Sequence, residues 1–244
     1  MTRSPRARLV FRRRRKVAGD TGWLIIEDDH GAPIVEAAPP VTEQLRYIIE
    51  RLRLQDPDGL PTRIGVTSAL AGEGVTTVAR ALAGVLADDS AAKVCLVSLD
   101  WWTSDASPAD RMGIAEVIAG EAETDEVLLA TSIPGLEYIR AGSAEPATLP
   151  ALVHDATLRN TLQELALRYH HVVVELPPVR VASEALALAG LCDACALVVR
   201  QSSTSRTEVR AAIDHLGQER LLGVILNQTS SKVPTPLLRA VAQS

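Results

Sequence analysis

The sequence predicts an α/β protein: a doubly wound, mostly parallel sheet with helices on both faces. Three observations carry this. From residue 61 onward, apolar runs of strand length alternate with segments of helical period. Those runs are apolar at successive positions, as in strands buried on both faces. Finally, 47% of the residues are hydrophobic but only 3% aromatic, which suits aliphatic helices packed on a buried sheet. At 244 residues the chain can bury one full-sized core.

Taken in order, residues 1–20 form a basic arm, expected to be disordered. Residues 21–60 hold an extended segment at Trp23–Glu27 and a helix announced by Pro39-Pro40 and Val41-Thr42-Glu43. Thr42 is its expected cap, and the helix should run to about Leu54 before Asp56-Pro57-Asp58-Gly59 breaks it. The main domain, 61–244, should place strands at Ile64–Thr67, Val94–Leu99, Leu136–Ile139, Val172–Leu176, Ala196–Val199 and Leu222–Leu226. Helices at Thr76–Ala87, Ile114–Ile118, Ala156–Tyr169, Ser183–Leu191 and Thr204–Leu216 connect them.

Charge is unevenly spread. Of 25 basic and 30 acidic residues, eight basic ones (Arg3, Arg6, Arg8, Arg12, Arg13, Arg14, Arg15 and Lys16) and one acid, Asp20, fall in the first twenty positions, so the rest carries 17 against 29. The arm reads either as a solvated tail or as an electrostatic anchor for an anionic membrane surface or an acidic partner. Nucleic acid is disfavoured as a partner, because the body is acidic and no aromatics interleave with the arginines. An odd count of three cysteines argues against a disulfide framework and for a reducing compartment. No apolar run approaches the ~18 residues of a membrane span, and Leu9-Val10-Phe11 is too short for a signal-peptide core. The expectation is a cytoplasmic protein, peripheral on the inner face of the plasma membrane if the arm binds lipid.

In an open α/β sheet, ligands bind where strands end and helices begin. The first strand of the main domain exits through Gly72-Glu73-Gly74-Val75-Thr76-Thr77 directly into a helix. Two glycines, then hydroxyls at a helix N-terminus, supply close approach, free N–H groups and a positive dipole end for phosphate. A working phosphate loop also needs a lysine after its last glycine, and that position is Val75.

Several further segments recur in order. Thr67-Ser68-Ala69-Leu70-Ala71-Gly72-Glu73-Gly74-Val75-Thr76-Thr77 is similar to the stretch Thr-Ser-x-x-Pro-Gly-Glu-Gly-Lys-Ser-Thr of the bacterial capsular and exopolysaccharide tyrosine kinases (BY-kinases), a branch of the deviant Walker A P-loop ATPases. Val97-Ser98-Leu99-Asp100 resembles that family's Ile-Asp-Ala-Asp, and Tyr169-His170-His171-Val172-Val173-Val174-Glu175-Leu176-Pro177-Pro178 resembles its Walker B segment. Ala141-Gly142 with Pro146 and Leu149, Leu191 to Arg200, and Leu222 to Asn227 follow the family's later patterns. The resemblance spans roughly residues 22–230 and implies a P-loop NTPase fold, ATP or ADP with Mg²⁺ as cofactors, and a role in capsule or exopolysaccharide synthesis. It makes Gly72, Glu73, Gly74, Val75, Thr76 and Thr77 the candidate nucleotide loop. Thr76, Asp100 and Glu175 become candidate metal ligands, with Asp100 and Glu175 the candidate catalytic acids.

Three departures fall on three charges. Val75 removes the lysine, Ser98 removes the first acid of the second motif, and Glu175 lengthens the Walker B acid by one methylene. The other lysine of deviant Walker A loops would stand at Leu70. Phosphoryl transfer rests on positioning and charge, and losing one preorganised cation commonly costs ~3 to 4 kcal/mol of barrier. Three readings stay open. One is a degenerate kinase acting as a regulatory or scaffolding subunit, its partner a polysaccharide chain-length-determinant membrane protein or an active paralogous kinase. Another is a weak but active tyrosine kinase or ATPase using Thr76, Asp100 and Glu175. The third is a relative of the polarity and positioning ATPases.

Smaller signals follow. Among the family's regulatory features, a C-terminal tyrosine cluster is lacking, since the only tyrosines are Tyr47, Tyr138 and Tyr169. Glu43-Gln44-Leu45-Arg46 resembles half of the family's ring-forming Glu-x-x-Arg-x-x-Arg motif, with Ile49 at the second arginine; it reads equally as an i, i+3 ion pair or as a retained homo- or hetero-oligomer interface. Cys192-Asp193-Ala194-Cys195 reads as core cysteines, His170-His171 as edge or surface histidines, and Trp101-Trp102 as packing in preference to adenine stacking.

Overall fold

The computed structural model describes residues 23–55, 59–90, 92–102, 112–201 and 203–228. The basic arm and the tail beyond residue 228, which bears on the expected lack of a C-terminal tyrosine cluster, lie outside these residues.

A two-stranded antiparallel hairpin comes first, β1 (Leu24–Glu27) and β2 (Pro33–Ala37), followed by α1 (Pro39–Gln55). The main sheet contains β3 (Arg63–Ser68), β4 (Val94–Ser98), β5 (Leu129–Ala130), β6 (Leu136–Ile139), β7 (His171–Glu175), β8 (Ala194–Arg200) and β9 (Leu221–Asn227). Their order is β5-β6-β4-β7-β3-β8-β9, parallel throughout except for the short edge strand β5. The crossovers carry α2 (Val75–Ser90), α3 (Ile114–Ile118), α4 (Thr124–Val127), α5 (Leu149–His154), α6 (Ala156–Arg168), α7 (Ala185–Ala189) and α8 (Arg206–Leu216). The doubly wound, mostly parallel fold is therefore the one read from the sequence.

Two apolar layers cover the sheet. On one face Ile114, Leu158, Leu162, Leu188 and Ala212 pack with Val172, Val174 and Leu176. On the other, α2 contributes Val78, Leu82 and Leu86, and Val173 points into the layer. Alternation along β7 thus feeds both cores, which is why Val172, Val173 and Val174 are apolar in succession. Residues 24–55 belong to the second layer: Ile26, Ile34, Leu45 and Ile49 are buried there against α2.

Some local expectations need correction. Helix α1 starts at Pro39, whose missing N–H costs nothing in a first turn. Thr42 is not its cap; it lies inside the helix, buried, and its hydroxyl donates to the Pro39 carbonyl at 2.9 Å. Arg46 does not pair within its helix by hydrogen bonds to Glu43. It reaches Asp89 of α2 at 2.7 Å, and Ile49 lies in the core. Helix α8 starts at Arg206 and not at Thr204, capped by Ser205 in a reciprocal box with Glu208. The strands β2 and β5 went unread because Pro33 and a two-residue edge segment give no period to recognise.

Candidate phosphate-binding site

The site lies at the C-terminal ends of β3, β4 and β7. Thr67 Oγ1 donates to the Pro177 carbonyl at 2.7 Å, and Val179 N donates to Ser68 O at 2.9 Å. These bonds join the exit of β3 to the Pro177-Pro178 segment after β7. In register, Glu175 stands between Val66 of β3 and Ser98 of β4. Two of the three altered charge positions are therefore neighbours on adjacent strands.

From Ser68 the chain turns through Ala69 to Gly74 and enters α2. Gly72 and Gly74 have φ of +78° and +95°, a region L side chains avoid. The loop is held from within by Glu73, a carboxylate 2% exposed. Its Oε2 accepts from Leu70 N at 2.7 Å, and its Oε1 accepts from Arg200 N at 3.0 Å and from the Thr204 hydroxyl. Asn227, ending β9, donates from Nδ2 to the Glu73 carbonyl at 2.9 Å. With its side chain committed, Glu73 can offer a ligand only its backbone N–H.

Val75 opens α2 and is 8% exposed; its side chain belongs to the second core layer. The position where a lysine would reach phosphate thus carries a packed aliphatic group. Thr76 and Thr77 follow in the same first turn, exposed, where helix geometry leaves the N–H groups without intrahelical acceptors. Backbone donors, hydroxyls and the helix dipole can meet an anion here; the side chain of Val75 cannot.

The candidate acids differ in setting. Asp100 is buried just after β4, and its Oδ1 accepts from Trp102 N at 3.1 Å. Glu175 is 2% exposed and lies 3.5 Å from Arg80 Nη2, with no hydrogen bond to its Oε2. Arg80 also donates from Nη1 to Ile34 O at 2.8 Å, and its guanidinium sits 5.5 Å from the Tyr138 ring centre. Arg140 lies 5.9 Å from the same ring centre and pairs with buried Asp28 at 2.6 Å. Burial pushes the Tyr138 phenol up, with the two arginines opposing and Glu175 adding to the shift. Burial also works against the Asp28 carboxylate, but N–H bonds from Ala32 and His30 together with Arg140 outweigh it and hold the group below its ordinary range.

Sequence reasoning missed Arg80. The signal was present, since it is the single charged residue between Val75 and Ala87 in a helix that otherwise feeds the core. Asn227 ends the Leu222–Asn227 segment, and its bond to the loop has no local signature in the sequence. Trp101 donates its ring N–H to Ala141 O at 2.8 Å, and both tryptophans rest on the first apolar layer. Cys192 and Cys195 are buried, and among the described residues no cluster of His, Cys, Asp and Glu is arranged to hold a metal.

No family profile matches the chain. In sequence it is similar to the tyrosine-protein kinase CpsD of Streptococcus agalactiae serotype Ia, 26% identical over 179 residues that cover 70% of this chain and 76% of that one. In fold it is similar to the kinase domain of the Escherichia coli tyrosine kinase ETK, with a TM-score of 0.68 at 22% identity over 82% of this chain and 80% of the other. A more distant likeness is the septum site-determining protein MinD of Pyrococcus horikoshii, solved with Mg-ADP, with a TM-score of 0.53 at 17% identity over 75% and 77% of the two chains. The sheet order and the strand-to-helix loop at its C-terminal edge are those of a P-loop α/β fold, and in sequence the chain is similar to bacterial tyrosine-protein kinases.

Proposed function

We propose that the chain is a kinase-like P-loop protein that has kept the phosphate cradle and lost the phosphoryl-transfer machinery, and that it serves capsule or exopolysaccharide synthesis as a regulatory or scaffolding subunit. The observation that carries this reading is the burial of Val75 in the apolar layer under α2. Val75 puts an aliphatic side chain where the lysine would follow the loop's last glycine, Ser98 offers a neutral hydroxyl, and the Glu175 carboxylate faces Arg80.

A nucleotide's phosphates would be held by the backbone N–H groups from Gly72 to Thr77 and by the helix dipole. Mg²⁺ finds an incomplete donor set. Thr76 keeps a hydroxyl and Asp100 a carboxylate, whereas Glu175 is turned to a guanidinium. A site so depleted suits recognition of bound nucleotide more than its turnover, because electrostatic stabilisation of the transferring group is what has been removed. The partner in this reading is a chain-length-determinant membrane protein or an active paralogous kinase, with residues 3–16 against anionic lipid.

The deciding measurement is a titration of ATP and ADP, with and without Mg²⁺, by calorimetry alongside a phosphate-release assay. Binding without turnover is the expected result. Magnesium-dependent hydrolysis, or phosphate appearing on a tyrosine, would overturn the reading. Tyr47 is the residue to watch, since it is 63% exposed whereas Tyr138 and Tyr169 are buried.

A further inference from the structure

We infer that Arg80 is a built-in counter-ion for Glu175, occupying by charge the place a metal would take at that carboxylate, so that Glu175 is not a metal ligand in this chain.

Glu175 ends β7 with its side chain on the α2 side of the sheet, nearly sealed from solvent, its side chain 3% exposed. A buried carboxylate demands a cation or a set of hydrogen-bond donors, since ionised groups are strongly disfavoured without them. Arg80 supplies the charge at 3.5 Å, yet Glu175 Oε2 receives no hydrogen bond and Arg80 Nε makes none. The pair therefore compensates by charge more than by directed bonding.

Arg80 is not free to swing away. Nη1 is fixed on the Ile34 carbonyl of β2, and the guanidinium lies over the ring of Tyr138 of β6, which Arg140, paired with Asp28, also approaches. The neighbour across the strand pair is Ser98, so no second carboxylate on β4 stands in register to share a divalent ion with Glu175. A doubly charged ion on Glu175 would lie against a held guanidinium, with like charges at close range. Between those two cations, the one anchored by three protein elements prevails. Arg80 is thus a positioning residue: it holds and neutralises Glu175 and touches no reacting atom.

The inference does not need the nucleotide reading, because it concerns the protein alone and can fail or hold separately. The experiment counts Mn²⁺ bound per full-length chain by electron paramagnetic resonance, for wild type, Glu175→Gln, Arg80→Met and the double variant. Wild type and Glu175→Gln should bind the same number of ions. Arg80→Met, which uncovers the carboxylate, should bind one more than wild type, and the double variant should lose that extra ion. Loss of a site in Glu175→Gln relative to wild type would overturn the proposal, as would an unchanged count in a folded Arg80→Met. If Arg80→Met does not fold, the comparison of wild type with Glu175→Gln still decides. Arg80→Lys, which keeps the charge, should count as wild type does; an extra ion there would mean that shape and not charge excludes the metal, contrary to the proposal.

Discussion

Asn227 Nδ2 occupies the space that a side chain at Gly74 would need: a Cβ built on Gly74 falls 2.1 Å from it. The last strand of the sheet therefore closes against the phosphate loop, and that closure is made by one amide donating to the Glu73 carbonyl at 2.9 Å.

The two loop glycines should respond differently to alanine. Gly72→Ala meets only backbone strain, since φ is +78° and nothing lies within 4 Å of its Cβ, at about 1 to 2 kcal/mol. Gly74→Ala adds the displacement of Asn227 and the loss of its bond, roughly a further 1 kcal/mol. In an Asn227→Ala background the difference between the two glycines should vanish. Urea denaturation of the four variants checks this, and equal costs in the native background would refute the contact.

Glu73 makes a second test. Its two oxygens take Leu70 N, Arg200 N and the Thr204 hydroxyl, so the carboxylate ties the loop to the end of β8. Glu73→Gln puts an NH₂ where an acceptor is required and leaves at least one buried donor unpaired. A loss on the order of 1.5 to 3 kcal/mol is expected, with faster amide hydrogen exchange in residues 69–74. A variant as stable as wild type would mean that Glu73 is in the loop for its backbone only.

How much of this was legible in the sequence divides along physical lines. The six parallel strands were, because strands buried on both faces write unbroken apolar runs such as Val172 to Val174 and Ala194 to Val199. The loop was also legible, because positive φ demands glycine and the helix start favours hydroxyls. The hairpin strand β2 was not, since Pro33 reads as a breaker until its partner β1 is known. Nor were the bonds that define the site: Arg80 to Glu175 spans 95 positions and Asn227 to Glu73 spans 154, and no local period encodes such pairings. The sequence marks Arg80 only as a charge in an apolar helix, which shows that something must meet it and not what.

His171, at the start of β7, supplies a pH dependence. Burial pulls its imidazole below the ordinary histidine value, against the bond between Nδ1 and the Pro61 carbonyl at 3.0 Å. The unfolded chain then takes up a proton more readily than the folded one. Stability from this group is full above the unfolded value near 6.5 and declines as pH falls from there toward the folded value. Wild type should lose more melting temperature between pH 7.5 and 5.5 than His171→Asn does. Parallel slopes would show that the imidazole is solvated in the folded protein.

Restoring the lysine tests what the cradle has become. In Val75→Lys the stem could follow the apolar layer, but the ammonium would sit at the positive end of α2, where Glu73 is already engaged and Glu175 is held by Arg80. A cation with no free carboxylate in a mostly buried position should cost about 2 to 4 kcal/mol. A bound polyphosphate would supply the missing countercharge. ADP should therefore raise the melting temperature of Val75→Lys by more than that of wild type, since a ligand that binds only the folded state stabilises in proportion to its affinity. Adding Ser98→Asp should leave this gain in place while introducing a carboxylate beside Glu175. If Val75→Lys is destabilised and ADP gives it no larger shift than wild type, the loop no longer presents its N–H groups to phosphate, and the Gly72–Thr77 turn is a structural remnant.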